Sequence, residues 1–257
     1  MASVDRIGSA VQFTGSTFKD NVAHGAGGAF LLSGISAGVR FEANAFIRNT
    51  VLSGSGGAVH ISGQAGLVMR HSISQNNSVR HGDGGFLFAE SASSMLISSM
   101  LIRDGVTGTH GGGGGMAVTA TRVALENVTF QECRSGSKGG GGLLLDGDAE
   151  AHLFHTKMIG NEAKGSSSSG GHVRLSSSKL VVHSSGSVLR WPGVEPMFPP
   201  VILGGSVVVQ VVQGNGCGDT PLFEDIMTAE ACKEAVALLF EFYGAVRDLA
   251  AADDNEI

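Results

Sequence analysis

Long apolar runs are missing from this 257-residue chain. No window reaches the roughly 18 uninterrupted apolar residues of a membrane helix, which excludes a helical transmembrane segment. Met1 to Ala10 (MASVDRIGSA) also lacks the apolar core of a secretion signal. Charge of one sign is missing from most of the chain: residues 1 to 200 carry 15 Lys and Arg against 13 Asp and Glu. A near-neutral body has no broad basic field, so nucleic acid is not an expected partner. The acid is concentrated at the end, where residues 201 to 257 carry 10 Asp and Glu against 2 Lys and Arg. Cysteine is scarce. Cys133 reads as a free thiol in a turn, and Cys217 with Cys232 forms the one candidate disulfide, worth about 3 kcal/mol if closed.

Glycine is abundant instead, at 40 residues, while 42% of the chain is hydrophobic, enough apolar surface to bury and too much for a disordered linker. The glycines recur with a pattern. The stretch Phe18 to Phe30 (FKDNVAHGAGGAF) returns as Phe46 to Val59, Ile73 to Leu87, Leu101 to Ala117, Phe130 to Leu144 and Met158 to Val173. Its lead residues Phe18, Phe46, Ile73, Leu101, Phe130 and Met158 are spaced by 27 to 29 residues. A constant period of this size means a solenoid, whose units bury their apolar faces only by stacking.

After each closing Gly-Gly, taken at 27, 56, 84, 114, 141 and 170, one column reads Phe30, Val59, Leu87, Ala117, Leu144 and Val173. The column two residues on reads Leu32, Ile61, Ala89, Thr119, Asp146 and Leu175. Alternation with the position between them is the period of a strand whose apolar columns face inward, with Asp146 as the exception. A second strand begins near Val39, Leu67, Met95, Val123, Ala151 and Leu180, and the lead residues mark a third as a core stack. Asn21, Asn49, Asn76, Asp104 and Asn161 are read as a turn ladder, because Asn and Asp accept the left-handed corner conformation and can bond their equivalents one coil away. Cys133 interrupts that ladder.

Three short strands per coil of about 28 residues, with no alternating helical segments, describe an all-β parallel β-helix over residues 1 to 212. Right-handedness follows from the rule for parallel crossovers. Four of the five prolines lie in Trp191 to Pro200, which must leave the ladder as a loop before a last rung at Val201 to Val212. Residues 213 to 257 are expected to form a helical cap and acidic tail. Thr228 is its N-cap, and Ala231, Ala235, Leu238, Leu239, Phe242 and Val246 form the apolar stripe over the open last coil.

The F-x-x-N and G-G-A-apolar spacing, clearest in FKDN with GGAF and FIRN with GGAV, resembles the repeats of the chlamydial polymorphic outer membrane protein family. That resemblance, covering about residues 18 to 210, implies a right-handed β-helix displayed on a cell surface as an adhesin. No membrane barrel accompanies it in this sequence, so autotransport is not expected. The architecture is also that of the pectin-lyase-like superfamily, which contains polysaccharide lyases and hydrolases.

Candidate chemistry is thin. The paired-Asp motif of that superfamily and a G-H-G are both missing, so no catalytic residue is assigned. Asp146, Asp148 and Glu150 (DGDAE) form the densest acidic cluster and the weak candidate for a metal, although a corner rich in turn formers explains them more simply. His24, His81 and His110 precede Gly-Gly pairs and read as loop residues. Asn76-Asn77-Ser78 and Asn127-Val128-Thr129 fit the glycosylation pattern, with Asn76 also claimed by the ladder. The expectation is a non-enzymatic, cofactor-free scaffold for surface display, adhesion, or glycan or protein binding, from a secreted or surface protein or a fragment of one. The rival is a polysaccharide-active enzyme on the same scaffold.

Overall fold

The computed structural model describes residues 2–5, 11–34, 38–63, 66–92, 94–164, 171–183, 188–190, 201–204 and 208–212. Every regular element among them is a strand, and every strand pairing is parallel. Each coil contributes four straight segments. Face A stacks Ala2–Asp5, Phe30–Ser33, Val59–Ser62, Leu87–Glu90, Met116–Thr119, Leu143–Asp146, Val173–Ser176 and Val201–Gly204 into an eight-stranded sheet. Face B runs through Val11–Thr14, Val39–Glu42, Gly66–Arg70, Glu150–Phe154, Lys179–His183 and Val208–Val212, and face C through Thr17–Lys19, Ala45–Ile47, Ile73–Gln75 and Lys157–Ile159. In the middle of the solenoid Ser94–Arg103 and Arg122–Gln131 run without a break across both faces, so B and C belong to one bent sheet. Face D is a column of two-residue strands, Val22–Ala23, Thr50–Val51, Ser78–Val79, Val106–Thr107, Arg134–Ser135 and Glu162–Ala163, which strand periodicity is too short to reveal. The proline-rich loop, the C-terminal helical cap and the Cys217–Cys232 pair lie outside the described residues.

The C-to-D corner divides between two neighbouring residues the work expected of one. Asp20, Arg48, Asn76, Asp104 and Glu132 take the left-handed conformation, with φ from 51° to 58°. The residue after each turns inward and carries the ladder: Asn21 Nδ2 donates to Asn49 Oδ1 at 2.7 Å, and Asn49 Nδ2 to Asn77 Oδ1 at 2.9 Å. Asn49, Asn77 and Asn161 also donate to the carbonyls of Phe18, Phe46 and Phe130 in the preceding coil. Asn76 and Asp104 are therefore corrected from ladder members to corner residues, their ladder places being held by Asn77 and Gly105. A side chain at Gly105 would overlap the Gly114 carbonyl oxygen, which is why the ladder has a gap there. Cys133 fills its own place in part: its amide donates to Asn161 Oδ1 at 2.9 Å, and its thiol lies 3.6 Å from the Ile102 carbonyl, the bond an Asn would make.

The closing glycine pairs are each required twice over. The first of each pair, at Gly27, Gly56, Gly84, Gly113 and Gly140, has φ between 63° and 74°, a region that disfavours any Cβ. On the second, a Cβ at Gly28, Gly57 or Gly85 would overlap the carbonyl oxygen of Gly57, Gly85 or Gly114 one coil away. In the runs Gly111 to Gly115 and Gly139 to Gly142 the structural pairs are Gly113-Gly114 and Gly140-Gly141, one residue earlier than the sequence alignment places them. The inward column accordingly continues through Met116 and Leu143, and the second through Val118 and Leu145. Asp146 is no exception to an apolar column. It stands on the outward column with Ser33, Ser62, Glu90, Thr119 and Ser176.

The core is one continuous cluster along the axis. Its face C column is Phe18, Phe46, Ser74, Ile102, Phe130 and Met158. Ile73 and Leu101 are corrected to the outward column beside Ala45, half-buried, because apolar residues at that position mimic the inward parity. Buried Ser74 has two causes. Its Oγ accepts a hydrogen bond from Asn77 Nδ2 at 2.9 Å, replacing the acceptor that Gly105 cannot offer. Its small volume is made up by Phe86, fully buried where the other coils carry Ala29, Ala58, Gly115 and Gly142. Large and small residues thus trade places across each coil, keeping total core volume nearly constant.

Candidate functional site

The outward side of face A departs most from a plain polar surface. Register places Leu31, His60, Phe88, Ala117, Leu144 and Arg174 in one outward column, beside the column of Ser33, Ser62, Glu90, Thr119, Asp146 and Ser176. Strand alternation should make both columns polar. The first is apolar over five successive rungs.

Burial along that column changes partway. Ala117 and Leu144 are 1% and 2% exposed although they point away from the core, while Leu31, His60 and Phe88 are only half-buried. The cover over Leu144 is the glycine-rich wall: a Cβ on Gly112 would come within 2.7 Å of Leu144 Cδ2. A polar tie holds that wall across successive coils. The Asp83 amide donates to Ser55 Oγ at 3.1 Å, Asp83 Oδ1 accepts from the Gly112 amide at 2.8 Å, and Lys138 Nζ meets Asp83 Oδ2 at 2.6 Å. The result is an open apolar strip from Leu31 to Phe88, ending where the wall closes over Ala117.

His60 and Phe88 stack along the solenoid axis with ring centroids 5.1 Å apart and an interplanar angle of 29°. Their faces meet each other, so they present ring edges outward, the positive part of the aromatic quadrupole. The His60 Nδ1 lies 3.3 Å from the Ser55 carbonyl, which fixes it as the donor nitrogen and leaves Nε2 as an acceptor. Burial pushes the pKa of His60 down, partly offset by that backbone bond and by the nearby Glu90 charge, so the ring is held neutral. Glu90 is exposed and forms no ion pair among the described residues.

The other carboxylates are occupied. Arg48 donates to both oxygens of Asp20, at 2.7 and 3.0 Å, and these bonds hold the Asp20 pKa low. Hydrogen bonds from His71, at 2.7 Å, and Arg40, at 2.9 Å, do the same for Glu42. Glu150 is met by Arg122, His152 and Lys179 at 3.1 to 3.2 Å; burial works its pKa upward, but Lys179 and His152 outweigh it and hold the group low.

The three acidic candidates are not brought together. Asp146 bonds its own turn at the Gly147 amide, Asp148 is an exposed corner residue with φ of 62°, and Glu150 belongs to the face B cation cluster. No group of three or more His, Cys, Asp or Glu is placed to share a metal ion among the described residues. His24, His81 and His110 are exposed on the corner before face A but do not align: Leu52 and Arg80 continue the column of His24. Asn76 and Asn127 are both exposed corner residues, and since Asn77 carries the ladder, modification of Asn76 would not compete with it. Cys133 is fully buried, and burial pushes its thiol up to about 12, far from the reactive thiolate range.

The strip was hidden from sequence reading by the same one-residue ambiguity in the glycine runs. Counting from the last glycine pair puts Ala117 and Leu144 in the inward column and breaks the apolar outward column after Phe88. The available signal was the outward parity of Leu31 and Phe88.

A family model described as right handed beta helix region matches residues 4–185. No curated protein matches the chain, and no solved structure does.

Proposed function

The chain belongs to the right-handed β-helix family, and from that premise we propose that it is a non-enzymatic scaffold, displayed outside the cell or on its surface, that binds glycan or protein along its lateral faces. The observation that carries this reading is the state of the carboxylates. Glycoside hydrolysis needs one carboxyl group held protonated as a general acid, with its pKa raised. The carboxylates whose pKa departs clearly from the ordinary value, Asp20, Glu42 and Glu150, are all held low by cationic partners. Such pairs suit a surface that stays charged and folded, and they supply no acid. The resemblance of the repeats to those of the chlamydial surface adhesins points the same way.

One observation favours the rival, a polysaccharide-active enzyme. Glu90 and Asp146 share an outward column two rungs apart, a backbone separation of about 10 Å at rung spacing and close to the carboxylate spacing of inverting hydrolases. The two readings separate in one experiment, a glycan-array screen run beside reducing-sugar and unsaturated-product assays on acidic and neutral polysaccharides. Binding without turnover is the expected result. Turnover abolished by Glu90→Gln or Asp146→Asn would replace the scaffold with the enzyme.

A further inference from the structure

We propose that the open strip from Leu31 to Phe88 is the ligand site of this scaffold and that it takes a neutral, hydroxyl-rich oligosaccharide laid along the solenoid axis. The inference deepens the scaffold reading and rests on it. Four features select this occupant.

The floor is apolar and straight, with one side chain per rung at Leu31, His60 and Phe88. Rungs repeat every ~4.8 Å, close to the length of one pyranose unit, so a linear chain meets equivalent floor positions at each sugar. The ring edges of His60 and Phe88 face outward because their planes stack on one another, and an aromatic edge attracts oxygen rather than a second ring face.

Polar groups line the floor on one side. Ser33 and Ser62, joined Oγ to Oγ at 3.2 Å, and the exposed carboxylate of Glu90 stand in the neighbouring outward column, one per rung. With Nδ1 committed to the Ser55 carbonyl, His60 Nε2 is left to accept from a hydroxyl. Three acceptor types and no cation suit hydroxyl donors.

Charge sets the sign of the selection. Neither outward column carries Lys or Arg between the rungs of Phe30 and Leu143, and the Lys138 ammonium in the wall is committed to Asp83. Glu90 would repel a uronic acid or sulfated chain, so an anionic polysaccharide is disfavoured. The wall also sets the direction of the bound chain's limit: cover over Ala117 and Leu144 stops the strip beyond Phe88.

The test is titration of the whole chain, followed by heteronuclear NMR, with cellohexaose, maltohexaose and xylohexaose as neutral probes, hexagalacturonate as the acidic probe and an unrelated decapeptide. The expected result is saturable binding of at least one neutral hexasaccharide, with shifts confined to residues 31 to 33, 60 to 62 and 88 to 90, and weaker or no binding of hexagalacturonate. Glu90→Gln, on an exposed side chain, should weaken that binding at least fivefold. Phe88→Ser should weaken it at least tenfold, and Ser62→Tyr, which builds into the strip, should abolish it. Asp148→Asn, outside the strip, should leave it unchanged. Binding of a neutral hexasaccharide that Glu90→Gln and Ser62→Tyr both leave intact would overturn the strip while leaving the scaffold standing. So would preference for hexagalacturonate or for the peptide. Binding of none of the probes also overturns the strip, and cleavage of a probe overturns both strip and scaffold.

Discussion

At the corner between faces C and D, one residue bends the chain and the next bonds the neighbouring coil. Gly105 and Cys133 are the two places where the bonding residue is not Asn, and they make opposite demands. Gly105 has no room for a side chain, so Asn77 Nδ2 turns to Ser74 Oγ. Ser74→Ala should therefore cost about 1–3 kcal/mol, the penalty for stranding a buried donor, although it removes a polar group from a core column; chemical denaturation of the two proteins checks it. Cys133 does have room, and its amide already meets Asn161 Oδ1. Cys133→Asn should add ladder bonds like those of Asn49 and raise stability by about 1 kcal/mol, read as a higher denaturation midpoint with an unchanged slope. An unchanged or lower midpoint would mean that the thiol is packed too closely for an amide.

Among elements, the glycine pair before face A decides how closely coils stack. A methyl at Gly57 would occupy the space of the Gly85 carbonyl oxygen and crowd Ser78, neither of which can move without opening the ladder. Gly57→Ala should lower stability by more than the about 1–3 kcal/mol of ordinary overpacking, whereas Gly25→Ala, with open space around its Cβ position, should be nearly neutral. Thermal unfolding of this matched pair separates stacking from mere glycine content; equal losses at both sites would count against the close approach. Core packing is shared in the same coil-by-coil fashion, with Phe86 supplying the volume that Ser74 lacks.

For the whole molecule, charge is arranged in pairs that cross coils, as in Asp20 with Arg48, Glu42 with His71, and Glu150 with Lys179. These carboxylates have lower pKa in the folded chain than their ordinary values of 3.8 for Asp and 4.5 for Glu. A lowered folded pKa means stability that is fully present above the ordinary value and lost as pH falls through the folded one. The unfolding midpoint should thus be flat from neutral pH to about 5 and decline below 4.5. Salt should shrink the decline, because the pairs are solvent-facing. In Glu42→Gln/Glu150→Gln the acid limb should be shallower than in the parent, and an identical limb would place the acid sensitivity elsewhere.

The coil, its period of about 28 residues and its glycine and Asn corners were legible in the sequence alone, because each coil must solve the same stacking problem with the same few residue types. Phe46, Phe130, Asn49 and Asn161 stand in the columns their spacing implies. What only the tertiary structure decided is register to a single residue. Asn76 beside Asn77, Ile73 beside Ser74, and runs of four or five glycines each offer two alignments with the same composition. The choice between them is made by contacts with the next coil: a carbonyl oxygen that excludes a Cβ at Gly114, an acceptor missing at Gly105, a phenyl ring filling the space beside Ser74. Since a shift of one residue turns a strand's side chains from one face to the other, those contacts also determine which residues the outside receives. The apolar strip on face A follows from that choice, and no count of repeats along the chain contains it.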